Sequence, residues 1–120
     1  MSDESVDSLE RLRLALNTFA VERDWERFHS PKNLAMALSG EAGELIEHFQ
    51  WLSEDASRAL PPESLAEVEL EMADVLLYLI RLADVLAVDL ADAAHRKMRL
   101  NAARYPAEKA RGLTTRYSRL

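Results

Sequence analysis

Two acidic pairs, Glu41/Glu44 and Glu71/Asp74, interrupt strongly apolar stretches at a spacing of three residues, and this most restricts what the chain can become. A helix puts residues i and i+3 on one face about one turn apart, whereas a strand would send them to opposite faces. Leu38, Ala42, Leu45 and Phe49 flank the first pair, and Leu70, Leu77 and Leu79 the second, so both pairs read as carboxylates on helix faces that also pack. Crowded carboxylates in a low-dielectric setting repel one another and resist desolvation. They persist by taking up protons, by pairing with bases or by binding hard cations. An all-oxygen donor set points to Mg²⁺ or Mn²⁺.

The rest of the chain agrees with an all-α reading. Only three Gly and four Pro occur in 120 residues, 48% of which are hydrophobic, a composition that favours packed helices over disorder or sheet. Leu9, Leu12, Leu16 and Phe19 form a helical stripe, predicting a first helix from about Ser5 to Asp24. A loop over Trp25 to Ser30 precedes a second helix, capped by Ser30 with Pro31 at its first position and reaching about Leu52. Ser53 to Pro62 reads as a connection with room for one helical turn. A third helix runs from Glu63 to about Ala87, and Asp89 caps a fourth through about Arg104, where Pro106 blocks continuation. Beyond Ala107 the tail is expected to be basic and irregular. Four helices with short connections suggest a four-helix bundle in one domain over 1–120, with a helical core at about 5–106 and a tail at 107–120. Phe19, Phe28 and Phe49 are assigned to the core.

No cysteine is present, which removes disulfides, zinc–thiolate sites and thiol nucleophiles. The acidic start lacks a signal-peptide pattern, and Arg81, Asp84 and Asp89 interrupt the longest apolar segments, so a soluble cytoplasmic protein with no membrane partner is expected. Residues 1–94 carry 7 Lys/Arg against 20 Asp/Glu, and 95–120 carry 8 against 1. The acidic bulk disfavours a nucleic-acid polymer as partner. Gly40 and Gly43 bracket Glu41 inside a helix at a cost of about 1 kcal/mol each. They predict close approach by another helix or a ligand.

The string Gly40-Glu41-Ala42-Gly43-Glu44-Leu45-Ile46-Glu47-His48-Phe49-Gln50-Trp51, followed by Glu71-Met72-Ala73-Asp74-Val75-Leu76-Leu77-Tyr78, resembles the E-x-x-E … E-x-x-D signature of MazG-like all-α nucleoside triphosphate pyrophosphohydrolases. Arg23-Asp24-Trp25-Glu26-Arg27-Phe28-His29, Lys97-Met98, Asn101 and Arg104-Tyr105-Pro106 look like the dCTP pyrophosphatase branch. The resemblance implies that Glu41, Glu44, Glu71 and Asp74 hold Mg²⁺, with Mn²⁺ as a substitute. It implies hydrolysis of a nucleoside triphosphate to the monophosphate and pyrophosphate, with Glu41 or Glu44 accepting the proton of water. It further implies that Trp25, His29, Trp51 and Tyr78 receive a cytosine-like base, that Lys97 and Arg104 meet phosphate oxygens, and that Asn101 orients sugar or phosphate. A homo-oligomer, dimer or tetramer, is the expected assembly. Two other readings stay open: a broader dNTP pyrophosphatase, and a non-enzymatic helical interaction module using the Leu9/Leu12/Leu16/Phe19 stripe. A di-iron carboxylate bundle is disfavoured because neither acidic helix has an E-x-x-H pair.

Overall fold

Capping chemistry sets where the helices begin. In the computed structural model, which describes residues 8–114, Ser30 is extended and its Oγ accepts from the Asn33 N–H at 3.1 Å, with Pro31 next. Ser53 accepts from Ala56 N–H and Asp89 from Asp92 N–H in the same way. Each cap satisfies one of the N–H groups that a helix start leaves without a carbonyl.

The order is α1 (Ser8–Glu22), a 3₁₀ turn (Glu26–Phe28), α2 (Pro31–Glu47), α3 (Glu54–Ser57), α4 (Pro62–Val85), α5 (Leu90–Arg104) and α6 (Ala107–Ala110), with no strand among the described residues. The four long helices follow the predicted order. α2 ends five residues before Leu52, because the chain tightens into three-residue bonds, His48 N–H to Leu45 C=O and Phe49 N–H to Ile46 C=O, before Ser53 caps the next turn. His, Phe and Trp are indifferent helix formers and do little to hold the helix open there. The start of the tail, expected to be irregular, forms the single turn α6. Residues 5–7 of the predicted first helix and 115–120 of the tail lie outside the described residues.

The chain divides after Ala87 into two compact units, the first holding α1 to α4 and the second α5 and α6. Ala87 itself takes φ 57°, the left-handed conformation that ends many helices and that glycine usually supplies. In the first unit α4 packs against α2 and, less extensively, α1. Its buried apolar residues are Ala20 from α1, Leu34 from α2, and Val68, Ile80 and Ala83 from α4. This is a small core, and two residues assigned to it from sequence lie elsewhere. Phe19 and Phe28 are 44% and 55% exposed, with the Arg23 and Arg27 guanidinium groups over their rings at 3.5 and 4.9 Å. Phe49 is half-buried. For the glycines, the close helix approach is not seen: a β-carbon at Gly40 or Gly43 would meet nothing within 4 Å, so no helix among the described residues requires them. Among the described residues no helix is long and apolar enough to cross a membrane.

Candidate functional site

The packing of α2 on α4 brings acids from the two helices together. One carboxylate oxygen each from Glu41, Glu44 and Glu71 lies within 4.8 Å of the others. Glu41 and Glu71 are half-buried and Glu44 is exposed. The Oε2 atoms of Glu41 and Glu71 are buried with no hydrogen-bond partner, a costly state for a polar atom. Burial pushes both carboxyls above their ordinary 4.5, and the adjacent Glu44 and Asp74 push them further. His48 pulls Glu71 slightly the other way. Three carboxylates brought this close, all of them hard oxygen donors and two of them carrying an unpartnered oxygen, fit a divalent cation of the Mg²⁺ or Mn²⁺ type.

This crowding has a stability consequence. A carboxyl whose folded value is raised contributes stability below about 4.5 and loses it as pH climbs through the raised value. His29 works in the opposite sense: burial, then the charge of Arg81, lowers it, so its contribution holds above 6.5 and fades as pH falls through the depressed value. Between pH 4.5 and 7.5, metal-free protein should therefore lose ground relative to Glu71→Gln in calorimetric melting midpoint. At pH 7.5, Mg²⁺ at a hundred times its dissociation constant should restore about 2.7 kcal/mol to the unsubstituted chain. Melting curves that coincide with and without Mg²⁺ would contradict the cation fit.

Asp74 lies one turn beyond Glu71, and its charge acts on both Glu41 and Glu71. It also opens onto a second feature. Asp74, Leu77, Tyr78 and Arg81 recur along one face of α4 and form one wall of a cavity of about 170 Å³. Leu16, Phe19 and Ala20 of α1 form another wall, and Trp25 and His29 complete it. Trp25 stands edge-on to Phe19 at 5.6 Å and to His29 at 6.3 Å. The volume lies below the roughly 300–1,000 Å³ of drug-sized sites and suits one planar ring.

Arg81 is only 7% exposed. Its Nε donates to His29 Nδ1 at 3.1 Å, and its Nη1 donates to Asn17 Oδ1 at 3.0 Å and Asp84 Oδ2 at 3.4 Å. Asp84 Oδ1 also accepts from Arg13 Nη1 at 3.0 Å. The charges therefore run Arg13, Asp84, Arg81 and end on His29.

Of the residues singled out from sequence, Glu41, Glu44 and Glu71 converge, and Asp74, Trp25, His29 and Tyr78 line the cavity. Trp51 does not line it and is 87% exposed. Lys97, Asn101 and Arg104 are carried by α5 in the second unit. Sequence reasoning missed Phe19 and Arg81 as cavity residues. The signal for Arg81 was its position seven residues after Asp74 and three after Tyr78, which repeats one helix face.

A MazG-like family model matches residues 36–120. The chain is 47% identical over 115 residues to dCTP pyrophosphatase 1 of Mus musculus, covering 94% of this chain and 68% of that protein. With dCTP pyrophosphatase 1 of Homo sapiens it shares 45% identity over the same fractions. The crystal structure of a pyrophosphatase from Archaeoglobus fulgidus superposes with a TM-score of 0.77 at 43% identity, over 81% of this chain and 91% of that one.

Proposed function

Because this chain belongs to the MazG-like family, we propose that it is a Mg²⁺-dependent nucleoside triphosphate pyrophosphohydrolase. Its substrate in this reading is dCTP or a modified dCTP, cleaved with water to dCMP and pyrophosphate. Such an activity removes surplus or noncanonical nucleotides from the DNA precursor pool. One observation carries the reading: two buried, unpartnered carboxylate oxygens on facing helices lie beside an aromatic cavity, with Asp74 belonging to both surroundings. An acid cluster alone would suit many ions, and an aromatic cavity alone would suit many rings. Together they fit a molecule that is polyanionic at one end and planar at the other.

Glu41, Glu44, Glu71 and Asp74 would hold the cation, with Mn²⁺ able to replace Mg²⁺. When bound, it supplies neutralising charge and Lewis acidity toward the phosphates. Glu41 or Glu44 takes the proton of the water whose oxygen attacks the α-phosphorus. The bond from that phosphorus to the bridging oxygen breaks, and pyrophosphate leaves. Lys97 and Arg104 offer cationic donors to phosphate oxygens, and Asn101 a hydrogen bond to sugar or phosphate. Trp25, His29 and Tyr78 receive the base, and Trp51 is kept with them. Stacking tolerates any base, so preference for cytosine rests on hydrogen bonds that a wrong base would leave unmade.

The working unit in this reading is one domain over 1–120, a homo-oligomer in the cytoplasm, dimer or tetramer, without membrane or nucleic-acid polymer as partner. Association would cover apolar side chains that the single chain leaves exposed, among them Trp51, Met36, Ile46, Leu70 and Met72. A fully active monomer in sedimentation would count against it. The function is tested by pyrophosphate release from a panel of nucleoside triphosphates with Mg²⁺ and then with chelator. Turnover greatest with dCTP and lost on chelation is expected. Comparable turnover of several dNTPs would favour the broader enzyme, and none across the panel the interaction module.

A further inference from the structure

A guanidinium has N–H groups and no acceptor. Since Nε of Arg81 meets Nδ1 of His29 at 3.1 Å, Nδ1 must supply the lone pair, and the single proton of the neutral ring stands on Nε2. Arg81 has little freedom to turn away. It is 7% exposed, and Asn17 and Asp84 hold its other end while Arg13 holds Asp84. Burial first, and then a cation this close, disfavour a second proton on the ring.

From this geometry we infer that Arg81 is a positioning residue that makes His29 a fixed Nε2–H donor in the cavity wall, so that a bound base must turn a hydrogen-bond acceptor toward it. A carbonyl oxygen or an unprotonated ring nitrogen meets that demand. Cytosine carries the two side by side at O2 and N3; uracil and thymine share the O2 carbonyl but carry N–H at position 3, so the donor tells the bases apart where it meets position 3. An N–H facing an N–H leaves both unpaired in a confined space, and that mismatch separates the bases. The identity of the base rests on the proposed function. The ring state of His29 does not.

The test joins a spectroscopic arm with a kinetic one. In long-range ¹H–¹⁵N spectra of the metal-free chain, His29 should be a single Nε2–H tautomer, and Arg81→Met should let it average between tautomers. With dCTP and Mg²⁺, Arg81→Met should raise KM on the order of tenfold and change kcat less than about twofold, as loss of a substrate-orienting hydrogen bond does. In a His29→Gln background the carboxamide carries its own N–H donor, so adding Arg81→Met should alter KM less than about twofold. Equal fold-changes in both backgrounds would reveal a merely structural arginine and overturn the inference. Arg81→Lys, which keeps the cation and one donor, replaces Arg81→Met if the latter does not fold; its smaller increase in KM must likewise vanish beside His29→Gln. A wild-type His29 protonated on Nδ1 overturns the inference whatever the kinetics. A wild-type chain that hydrolyses no nucleotide defeats the proposed function instead, and the ring spectra then decide the role of Arg81.

Discussion

Glu41→Gln and Asp74→Asn should each lower kcat for dCTP at least about a hundredfold while leaving the metal-free fold intact. Groups that merely support a metal ligand typically cost 10–100-fold when removed, so a residue that itself holds the ion should reach or exceed the top of that range. The two substitutions attack the site differently. Glu41 belongs to the carboxylate cluster and carries an unpartnered buried oxygen, whereas Asp74 lines the cavity and presses electrostatically on both Glu41 and Glu71. Both replacements keep side-chain volume, so no void opens. In the metal-free chain, removing one crowded carboxylate relieves repulsion, and the melting midpoint should hold or rise. That pairing of lost turnover with undiminished stability separates a ligand from a packing residue. Full turnover in both variants would overturn the site assignment.

What the sequence made legible follows from the range over which each feature is decided. The starts of α2 and α5 were readable at Ser30 and Asp89 because a cap is settled within three residues. The end of α2 was not, because it depends on how 48–52 fold back before Ser53. Each acidic pair was visible as a local spacing, but the meeting of Glu41 and Glu44 with Glu71 is made by the packing of α2 on α4. Phe19 shows why a stripe is ambiguous: the same spacing serves a core residue and a cavity wall, and only its Trp25 contact and exposure tell them apart. Arg81 read as a charge interrupting an apolar run. Its meaning came from three distant residues, Asn17, His29 and Arg13, the last acting through Asp84. Gly40 and Gly43 predict close approach by another helix or a ligand, yet among the described residues a β-carbon at either would meet nothing within 4 Å.

Leu34→Ala should destabilise the chain by about 2–5 kcal/mol, the range for emptying a fully buried leucine site. At 1% exposure Leu34 is the most completely buried large side chain, and it joins α2 to the first unit with few other buried apolar residues beside it. Domains of this size are stable by only about 5–15 kcal/mol, so the loss is a large share of the total. With about 4 °C per kcal/mol for a chain between the small and large size classes, the melting midpoint should fall roughly 8–20 °C. The effect should also reach the site. Leu34 lies seven residues before Glu41, two turns along the same helix, so loosening α2 against α4 weakens the convergence of the carboxylates, and Mg²⁺ should raise the midpoint of this variant less than that of the unsubstituted chain. Leu70→Ala provides the contrast. Leu70 is 69% exposed on α4, and within a single chain its removal should cost no more than about 0.5 kcal/mol. If copies of the chain associate through this surface, the cost of Leu70→Ala should grow with protein concentration as the assembled form is populated, while that of Leu34→Ala should persist when the chains are apart. Equal midpoint losses for both variants in dilute solution would refute the placement of the core at Leu34.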